Sequence, residues 1–202
     1  MTRQTAFVGT YTDTRSRGIY TFGISADDPV SIVSRASTPV PENPTFLAVH
    51  PDQRHLYAVH EVEAGGVTAF RIGGESPRLS EVDRADSGSG GPCHCHVHPS
   101  GDYLFVAHYT GGAVSVLPVR DDGSLGSPTD VVQHQGSSEH PERQTQAHPH
   151  SITSGPNGRF LYVPDLGTDS DCCDCLPDRP PDCRRSYRQT ATAISMSQLI
   201  ST

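Results

Sequence analysis

The sequence contains no lysine and no tryptophan, and aromatic residues make up only 6% of its 202 residues. All fifteen basic residues are therefore arginines, scattered among twenty-three acidic residues, and the net charge is −8. Recognition of nucleic acid requires clustered cations against the phosphate backbone. The scattered arginines therefore argue against nucleic acid as a partner.

Long apolar runs are also lacking. No segment approaches the about 20 apolar residues that cross a membrane, and the opening MTRQTAFVGTYTDT has no apolar run of signal-peptide length. We therefore predict a cytoplasmic protein without a membrane partner. The six cysteines, four of them between Cys172 and Cys183, are then expected to be reduced thiols.

Turn-forming residues are abundant, with 19 glycines and 17 prolines against a hydrophobic content of 34%. Both residue types interrupt regular structure, so this composition favours many short strands over long helices. An all-β fold follows as the first expectation.

Three segments share one pattern: PTFLAVHPDQRHLYAVHE, PCHCHVHPSGDYLFVAHY and PHSITSGPNGRFLYVPDL. They begin at Pro44, Pro92 and Pro149, which are 48 and 57 residues apart, and each has a second proline seven positions on. The pattern predicts a strand, a tight turn and a second strand. GGVTAFRI and GGAVSVLPV then supply a third strand in the first two units, before a weaker fourth.

Four short strands that recur about every 40 to 50 residues are typical of β-propeller blades. A β-sandwich also uses short strands, but it does not require one pattern at near-fixed spacing. We therefore predict a β-propeller with four-stranded blades, of which this chain holds about three and a half.

The repeat pattern stops at Asp169. Residues 1–169 are predicted to form the partial propeller, and residues 170–202 an irregular tail rich in cysteine, arginine and proline. A GC-rich gene read out of frame gives such a composition, so our hypothesis is a frameshift near codon 169, which resequencing to an in-frame tail would refute. A disordered tail and a zinc knuckle are the alternatives, although the cysteines lack clean paired spacing.

The first strand of each blade lines the central channel, and its side chains alternate in direction. His94 and His96 therefore share a face opposite Cys93 and Cys95, and His150 occupies the slot aligned with Cys93. An imidazole with a pKa near about 6.5 can accept a proton from water at neutral pH. His150 and His94 are accordingly candidate bases.

Further candidates surround these histidines. Arg143, in the loop before the third unit, offers a forked donor for an anion, and His148 and His96 are candidate substrate-binding residues. Glu61, after a second strand, and Asp165, at the matching place in the third unit, are candidates to orient a histidine, to act as acids or to cap turns.

The other histidines are expected to have structural or surface roles. His50 and His98 directly precede the turn prolines, which indicates a role in the repeat. Outer strands or loops carry the remainder, which we expect to face solvent: His55, His60, His108, His134 and His140. No metal site is predicted, since alternate histidines on one strand spread over about 13 Å. The sequence also lacks a GxSxG elbow and a phosphate-binding glycine loop.

Taken together, FVGTYT, HLYAVHE, GPCHCHVHPSG, YLFVAHYTGGAVSVLPV, ERQTQAHPHS and GRFLYVPDLGTD resemble the lactonase family of seven-bladed propellers. This family includes 6-phosphogluconolactonases and is related to carboxymuconate cyclases. The resemblance spans residues 6–169, about half of a ring of about 350 residues. It implies that His150 and Arg143 belong to an active site.

The resemblance implies a hydrolase that opens 6-phospho-D-glucono-1,5-lactone in the pentose phosphate pathway, without a cofactor and with a phosphorylated sugar lactone as its small-molecule partner. Three alternatives stay open: a non-catalytic propeller that binds proteins, an enzyme of the carboxymuconate type, and an inactive truncated product. The oligomeric state is not indicated by the sequence.

Overall fold

The computed structural model describes residues 3–25, 31–74, 78–155, 158–175 and 185–188. Within these ranges every regular element is a β-strand, and all strand pairings are antiparallel. None of the described residues forms a helix that is long and apolar enough to cross a membrane. The all-β prediction is therefore confirmed.

The strands form four sheets whose order follows the chain. Sheet 1 contains β1 (Arg3–Val8), β2 (Gly18–Ser25) and β3 (Ser31–Pro39). Sheet 2 contains β4 (Pro44–Val49), β5 (His55–His60), β6 (Val67–Ile72) and β7 (Leu79–Ala85).

Sheet 3 contains β8 (Pro92–Val97), β9 (Tyr103–His108), β10 (Ala113–Pro118) and β11 (Asp130–Gln133). Sheet 4 contains β12 (Thr153–Ser154), β13 (Phe160–Asp165), β14 (Ser170–Cys175) and β15 (Arg185–Arg188). The predicted repeat is thus the four-stranded sheet, and its first strand begins at Pro44 and at Pro92, as expected. In sheet 4 the first strand begins at Thr153 rather than at Pro149, which forms only an isolated bridge with Asp165.

Most of the predicted tail, residues 170–202, lies outside the described residues. Within it the structure describes two short strands, β14, which pairs with β13 over its full length, and β15, which pairs with β14. Sheet 4 therefore continues beyond Asp169, where the sequence pattern stops.

The apolar cores lie between sheets. Leu56 and Phe70 of sheet 2 pack with Ile19 of sheet 1, whereas Tyr57 and Val59 face sheet 3 in a second cluster. A third cluster joins sheet 3 to sheet 4. The second and third strands of sheets 2 and 3 thus bury both of their faces, as the middle strands of a propeller blade between two neighbours do.

The first strands of sheets 2 and 3 begin with a β-bulge. The register shifts between Pro44 and Phe46, and again between Pro92 and His94. A bulge places two residues opposite one and redirects side chains locally. Strict alternation therefore fails at the start of β8, where the sequence placed its first site residues.

Candidate active site

One end of the sheets collects the polar residues of the repeat. First strands begin, and second strands end, at the same end of an antiparallel sheet, so the loops around both meet there. Six residues from these positions are linked in a chain of contacts that we call the mouth cluster: Tyr11, Glu61, Cys93, Tyr109, His148 and His150. All four sheets, or the loops that join their strands, contribute to it.

His148 is fixed in one orientation. Its Nδ1 lies 2.7 Å from the backbone oxygen of Tyr109, and a carbonyl only accepts, so Nδ1 carries the proton and donates. The two rings stack, with centroids 4.4 Å apart and planes 16° apart. The lone pair of the neutral ring therefore resides on Nε2, where it can accept a hydrogen bond from a ligand.

His150 is exposed at the mouth. Its ring stands perpendicular to the ring of Tyr109, with centroids 5.5 Å apart and planes 88° apart. Its backbone N–H donates to the oxygen of Pro164 at 3.0 Å, which anchors the residue to β13. Among the described residues the imidazole of His150 makes no hydrogen bond, so both ring nitrogens remain available to a ligand.

Asp165 forms a hydrogen bond with the backbone of His148. It is the last residue of β13 and aligns with His60 in sheet 2 and His108 in sheet 3. The residue that aligns with Glu61 is the next one, Leu166, so Asp165 does not occupy the predicted matching place. Its Oδ1 accepts the backbone N–H of His148 at 2.8 Å, and its Oδ2 lies 2.9 Å from Nδ1 of His134.

The electrostatics of Asp165 favour the carboxylate. Burial raises its pKa, but the hydrogen bonds from His134 and from the backbone N–H groups of His148 and Gly167 outweigh burial, and the net shift is downward. The side chain is 0% exposed in its ion pair with His134. Asp165 therefore holds the loop that carries His148, rather than contacting a substrate.

Glu61 is held by two hydroxyl groups. Tyr11 donates to Oε1 at 2.9 Å and Thr45 donates to Oε2 at 2.7 Å. Burial, followed by the hydrogen bond to Glu61, raises the pKa of Tyr11 to about 12, so this phenol stays protonated. The predicted pairing of Glu61 with a histidine is not what the structure shows, because both carboxylate oxygens face hydroxyl donors.

Cys93 lies between Glu61 and the segment that carries His150. Its Sγ lies 3.6 Å from the backbone oxygens of both Pro149 and His150. Burial, then the charge of Glu61, raises the pKa of this thiol to about 12. Cys93 is thus a neutral S–H donor that links sheet 3 to the start of sheet 4.

His94 and His96 line the contact between sheets 3 and 4. Nδ1 of His94 accepts the backbone N–H of Ile152 at 3.3 Å, and its ring packs on Phe46 with centroids 4.0 Å apart. Burial, followed by the nearby His96 and His150, lowers the pKa of His94 to about 4. Such a ring is neutral and is protonated on Nε2, so it suits donation rather than the predicted role of a base.

His96 is further from the mouth cluster along β8. Its Nε2 is hydrogen-bonded with Oγ of Ser154 at 2.8 Å. Burial and the neighbouring His98 lower its pKa. This arrangement joins two first strands and leaves His96 as a structural partner of Ser154.

Arg143 lies in the loop between β11 and β12 and is exposed. Its backbone N–H donates to Nδ1 of His140 at 3.2 Å, but within the described part of the chain its guanidinium makes no hydrogen bond or ion pair. The loop itself is held by Gln144, whose side chain donates to the oxygen of Leu166 at 2.9 Å. Among the described residues, the structure therefore shows no contact that fixes the guanidinium of Arg143 at the mouth cluster.

Two cavities accompany these residues. One of ≈ 300 Å³ lies next to the mouth cluster and is lined by residues 110–112, 133–137 and 145–147, which are mostly polar. A larger groove of ≈ 950 Å³ lies between sheets 1 and 2 and is lined by Phe7, Val49, Arg54 and others. No member of the mouth cluster borders either cavity among the described residues, so the cluster itself defines the candidate site.

The expectation of solvent-facing histidines in the outer strands and loops is wrong for four of five residues. His55, His60 and His108 are 4%, 1% and 0% exposed, and the ring of His134 is paired with Asp165. His60 and His108 end second strands that are buried on both faces, and Thr68 and Ser115 on the third strands hydrogen-bond their Nε2 atoms. Only His140 is exposed, as expected.

His50 and His98 connect neighbouring sheets, in agreement with the role expected from the repeat. Nε2 of His50 donates to the oxygen of Gly101 at 3.0 Å, and Nε2 of His98 donates to the oxygen of Gly158 at 3.0 Å. Each glycine lies in the turn of the following sheet, with φ of 88° for Gly101 and 65° for Gly158.

The turn of sheet 2 also brings His50, Asp52 and His55 together, with ligand-type atoms within 4.8 Å of one another. The corresponding turn of sheet 3 has Ser100 in place of Asp52 and Tyr103 in place of His55, and Nδ1 of His98 lies 2.8 Å from the hydroxyl oxygen of Ser100. A hydroxyl fulfils the same role as the carboxylate, so the arrangement is that of a turn rather than of a metal centre.

Sequence reasoning missed Tyr11, Thr45, Cys93 and Tyr109 as site residues. Tyr109 directly follows β9 in the position that Glu61 occupies after β5. The gapless alignment of the repeats therefore contained the signal for Tyr109. Tyr11 and Thr45 lie outside that position, and only the packing of sheet 1 against sheet 2 reveals them.

The fold and the mouth cluster define a β-propeller whose channel end is built from imidazole, carboxylate and phenol groups. In this class of protein, repeated four-stranded sheets form the scaffold, and the polar site residues lie at one end of the sheets. A family model described as "Lactonase, 7-bladed beta-propeller" matches residues 5–172, and the chain belongs to this lactonase family.

Similar proteins agree with this assignment. The chain is 32% identical over 170 residues to the 6-phosphogluconolactonase of Bacillus subtilis, covering 84% of this chain and 48% of that protein. It is 28% identical over 168 residues to the 6-phosphogluconolactonase of Formosa agariphila, covering 81% and 47%.

Solved structures share the fold. The periplasmic gluconolactonase of Pseudomonas aeruginosa matches with a TM-score of 0.79 and 35% identity, over 85% of this chain and 50% of that one. A protein of Bacteroides fragilis matches with a TM-score of 0.80 and 29% identity, over 94% and 53%. The chain thus spans about half the length of the relatives that it matches.

Proposed function

We propose that the mouth cluster hydrolyses a sugar-acid lactone, and that the substrate is 6-phospho-D-glucono-1,5-lactone. The observation that carries this proposal is the pair His148 and His150, set against one tyrosine ring at the channel end of a lactonase-family propeller. The identity of the proposed substrate comes from the relatives that are named 6-phosphogluconolactonases.

His150 is the proposed general base. It is exposed, and its ring nitrogens are not engaged by any described residue. The imidazole takes a proton from water while the hydroxide forms a bond to the carbonyl carbon of the lactone. The bond between that carbon and the ring oxygen then breaks, and the imidazolium returns its proton to the leaving oxygen. This sequence requires no metal or cofactor.

We assign binding and polarisation of the substrate to His148 of the cluster and to His94 and Arg143 outside it. Nε2 of His148 accepts a hydrogen bond from a substrate hydroxyl, since Nδ1 is already donating to Tyr109. His94, neutral and protonated on Nε2, is a donor suited to the oxyanion of the tetrahedral intermediate. Arg143, exposed on the neighbouring loop, is the proposed partner of the phosphate.

Glu61, Asp165 and His96 support this arrangement without contacting the reacting atoms. Glu61 joins the loop of Tyr11 to β4 through Thr45, Asp165 holds the backbone of His148, and His96 joins β8 to β12. The proposed partner of the chain is thus a small molecule rather than nucleic acid or a membrane. The cytoplasm is the proposed compartment, since Cys93 and Cys95 are free thiols.

The test is the rate of loss of 6-phosphogluconolactone above its spontaneous hydrolysis, compared with glucono-1,5-lactone. We expect the chain to accelerate the reaction, His150→Ala to reduce kcat by roughly 100-fold or more, and Ser80→Ala, at an exposed residue of the outer strand β7, to change little. Preference for the unphosphorylated lactone would exclude the phosphate role of Arg143. No acceleration by the unaltered chain would overturn the proposal and favour a protein-binding scaffold.

A further inference from the structure

The ring of Tyr109 contacts both candidate histidines, and the hydrolysis steps proposed above give this residue no part in the chemistry. It follows β9 directly, and its backbone N–H donates to the oxygen of Gly91 at 2.9 Å. This bond ties the residue to the start of the same sheet, just before β8. The position of the Tyr109 backbone is therefore set by two strands of sheet 3 rather than by a free loop.

The backbone of Tyr109 selects the tautomer of His148. An imidazole in water exchanges its proton between the two nitrogens, and only the ring nitrogen without a proton can accept. The short contact of 2.7 Å between Nδ1 of His148 and the oxygen of Tyr109 keeps the proton on Nδ1. Nε2 is thereby kept as the acceptor.

The side chain of Tyr109 sets the planes of both imidazoles. Its ring is nearly parallel to that of His148, at 16°, and nearly perpendicular to that of His150, at 88°. Stacked and edge-to-face arrangements are the two favoured geometries of aromatic pairs. One tyrosine thus stabilises two different ring orientations simultaneously.

The contact crosses from one sheet to the next. Tyr109 belongs to sheet 3, whereas His148 and His150 precede the first strand of sheet 4. The two histidines lie in a segment with few backbone pairings of its own, an isolated bridge between Pro149 and Asp165 being one of them. A rigid partner on the neighbouring sheet compensates for this sparse pairing.

We infer that Tyr109 is the positioning residue of the two-histidine site: its carbonyl fixes the protonated nitrogen of His148, and its ring fixes the orientations of His148 and His150. The hydroxyl group is not needed for either role. This inference rests on the proposed function for its catalytic consequence, but its structural content holds in the chain with or without turnover.

Two substitutions separate the ring from the hydroxyl group. Tyr109→Phe keeps the ring and the carbonyl, so it serves as the matched control. Tyr109→Leu keeps the carbonyl but removes the aromatic face, so that His148 can tilt away from its hydrogen bond. Tyr109→Met provides a second chain without the ring, and circular dichroism establishes which variants are folded.

The first measurement is a long-range 1H–15N spectrum of the 15N-histidine-labelled chain at neutral pH, with His148 assigned by the loss of its signals in His148→Gln. We expect His148 to carry its proton on Nδ1 in the unaltered chain and in Tyr109→Phe, and to populate both tautomers in Tyr109→Leu and Tyr109→Met. A proton on Nε2 in the unaltered chain would overturn the inference without any variant.

The second measurement is lactone hydrolysis by the same proteins. We expect kcat to fall roughly 10- to 100-fold in Tyr109→Leu and to stay within about twofold in Tyr109→Phe, since misplaced catalytic groups cost rate. An inactive unaltered chain with the expected tautomers would refute the proposed function and retain the positioning role. Unchanged tautomers and unchanged kcat in folded Tyr109→Leu would refute the positioning role alone.

Discussion

The described histidines have different roles, and the buried ones differ in role from the exposed ones. His108 is 0% exposed, and its Nε2 donates to the hydroxyl of Ser115, which donates in turn to the oxygen of Ser87. Burial lowers the pKa of His108 to about 4. His150, in contrast, is exposed at the channel end. One residue type thus provides neutral structural links inside the sheets and a candidate base at the surface.

The neutral buried histidines make the fold sensitive to acid. The unfolded chain binds a proton at His108 near pH 6.5, whereas the folded chain does so only near pH 4, so stability is fully present above pH 6.5 and falls as the pH decreases through this window. We expect this residue alone to account for about 3 kcal/mol at pH 4. Urea unfolding between pH 7 and pH 4 measures the slope.

His108→Gln keeps a hydrogen-bond donor for Ser115 but removes the group that takes up a proton. The free energy of unfolding should therefore depend less steeply on pH in this variant. The matched control is His140→Gln in the exposed loop, which should leave the pH dependence as it is in the unaltered chain. An equal slope in all three proteins would show that protonation of His108 does not drive acid unfolding.

At the scale of the element, the turn between the first and second strands connects each sheet to the next. The histidine before the turn proline donates to the turn glycine of the following sheet, from His50 to Gly101 and from His98 to Gly158. These glycines have positive φ, and a Cβ built on Gly101 would lie 2.8 Å from Nε2 of His50. The positive φ of this turn and the hydrogen bond from His50 therefore both depend on Gly101.

Gly101→Ala should consequently lower the free energy of unfolding by about 1–3 kcal/mol, through the positive φ and through displacement of the His50 ring. Gly74→Ala is the matched control, because nothing lies within 4 Å of its added Cβ, and its effect should stay within about 0.5 kcal/mol. Chemical denaturation of both variants provides the comparison. Equal effects would mean that the turn of Gly101 tolerates a side chain.

The sequence predicted the strands better than the site. The prolines at 44 and 92 mark the starts of β4 and β8 because the turn chemistry recurs at fixed positions. Burial of His60 and His108 was missed because a histidine in an alternating strand reads as polar, whereas the second strands of the central sheets bury both faces. The bulge before His94 was missed because a register shift leaves no mark in composition.

At the scale of the whole molecule, the fold is held by cores that lie between sheets. Leu104 and Val106 of sheet 3 pack with Tyr57 and Val59 of sheet 2, while Phe105, between them in sequence, packs toward sheet 4. Sheets 2 and 3 each contribute to two clusters in this way. Their stability therefore depends on both neighbours.

Leu104→Ala should reduce the free energy of unfolding by about 2–5 kcal/mol, since Leu104 is 0% exposed and its removal opens a cavity between two sheets. Leu166→Ala, at a leucine that is 40% exposed, should change it by no more than about 0.5 kcal/mol. Thermal or urea unfolding distinguishes the two. A similar cost for both would argue against a core between sheets 2 and 3.

Sheets 1 and 4 share no apolar cluster within the described ranges, yet the mouth cluster takes Tyr11 from the loop of the first and His150 from the start of the last. A ligand that touches both would act as a non-covalent cross-link between two sheets that, among the described residues, are joined through the apolar clusters of sheets 2 and 3. A ligand bound at the mouth cluster would then oppose separation of the sheets. The melting temperature would therefore rise on binding even in the absence of turnover.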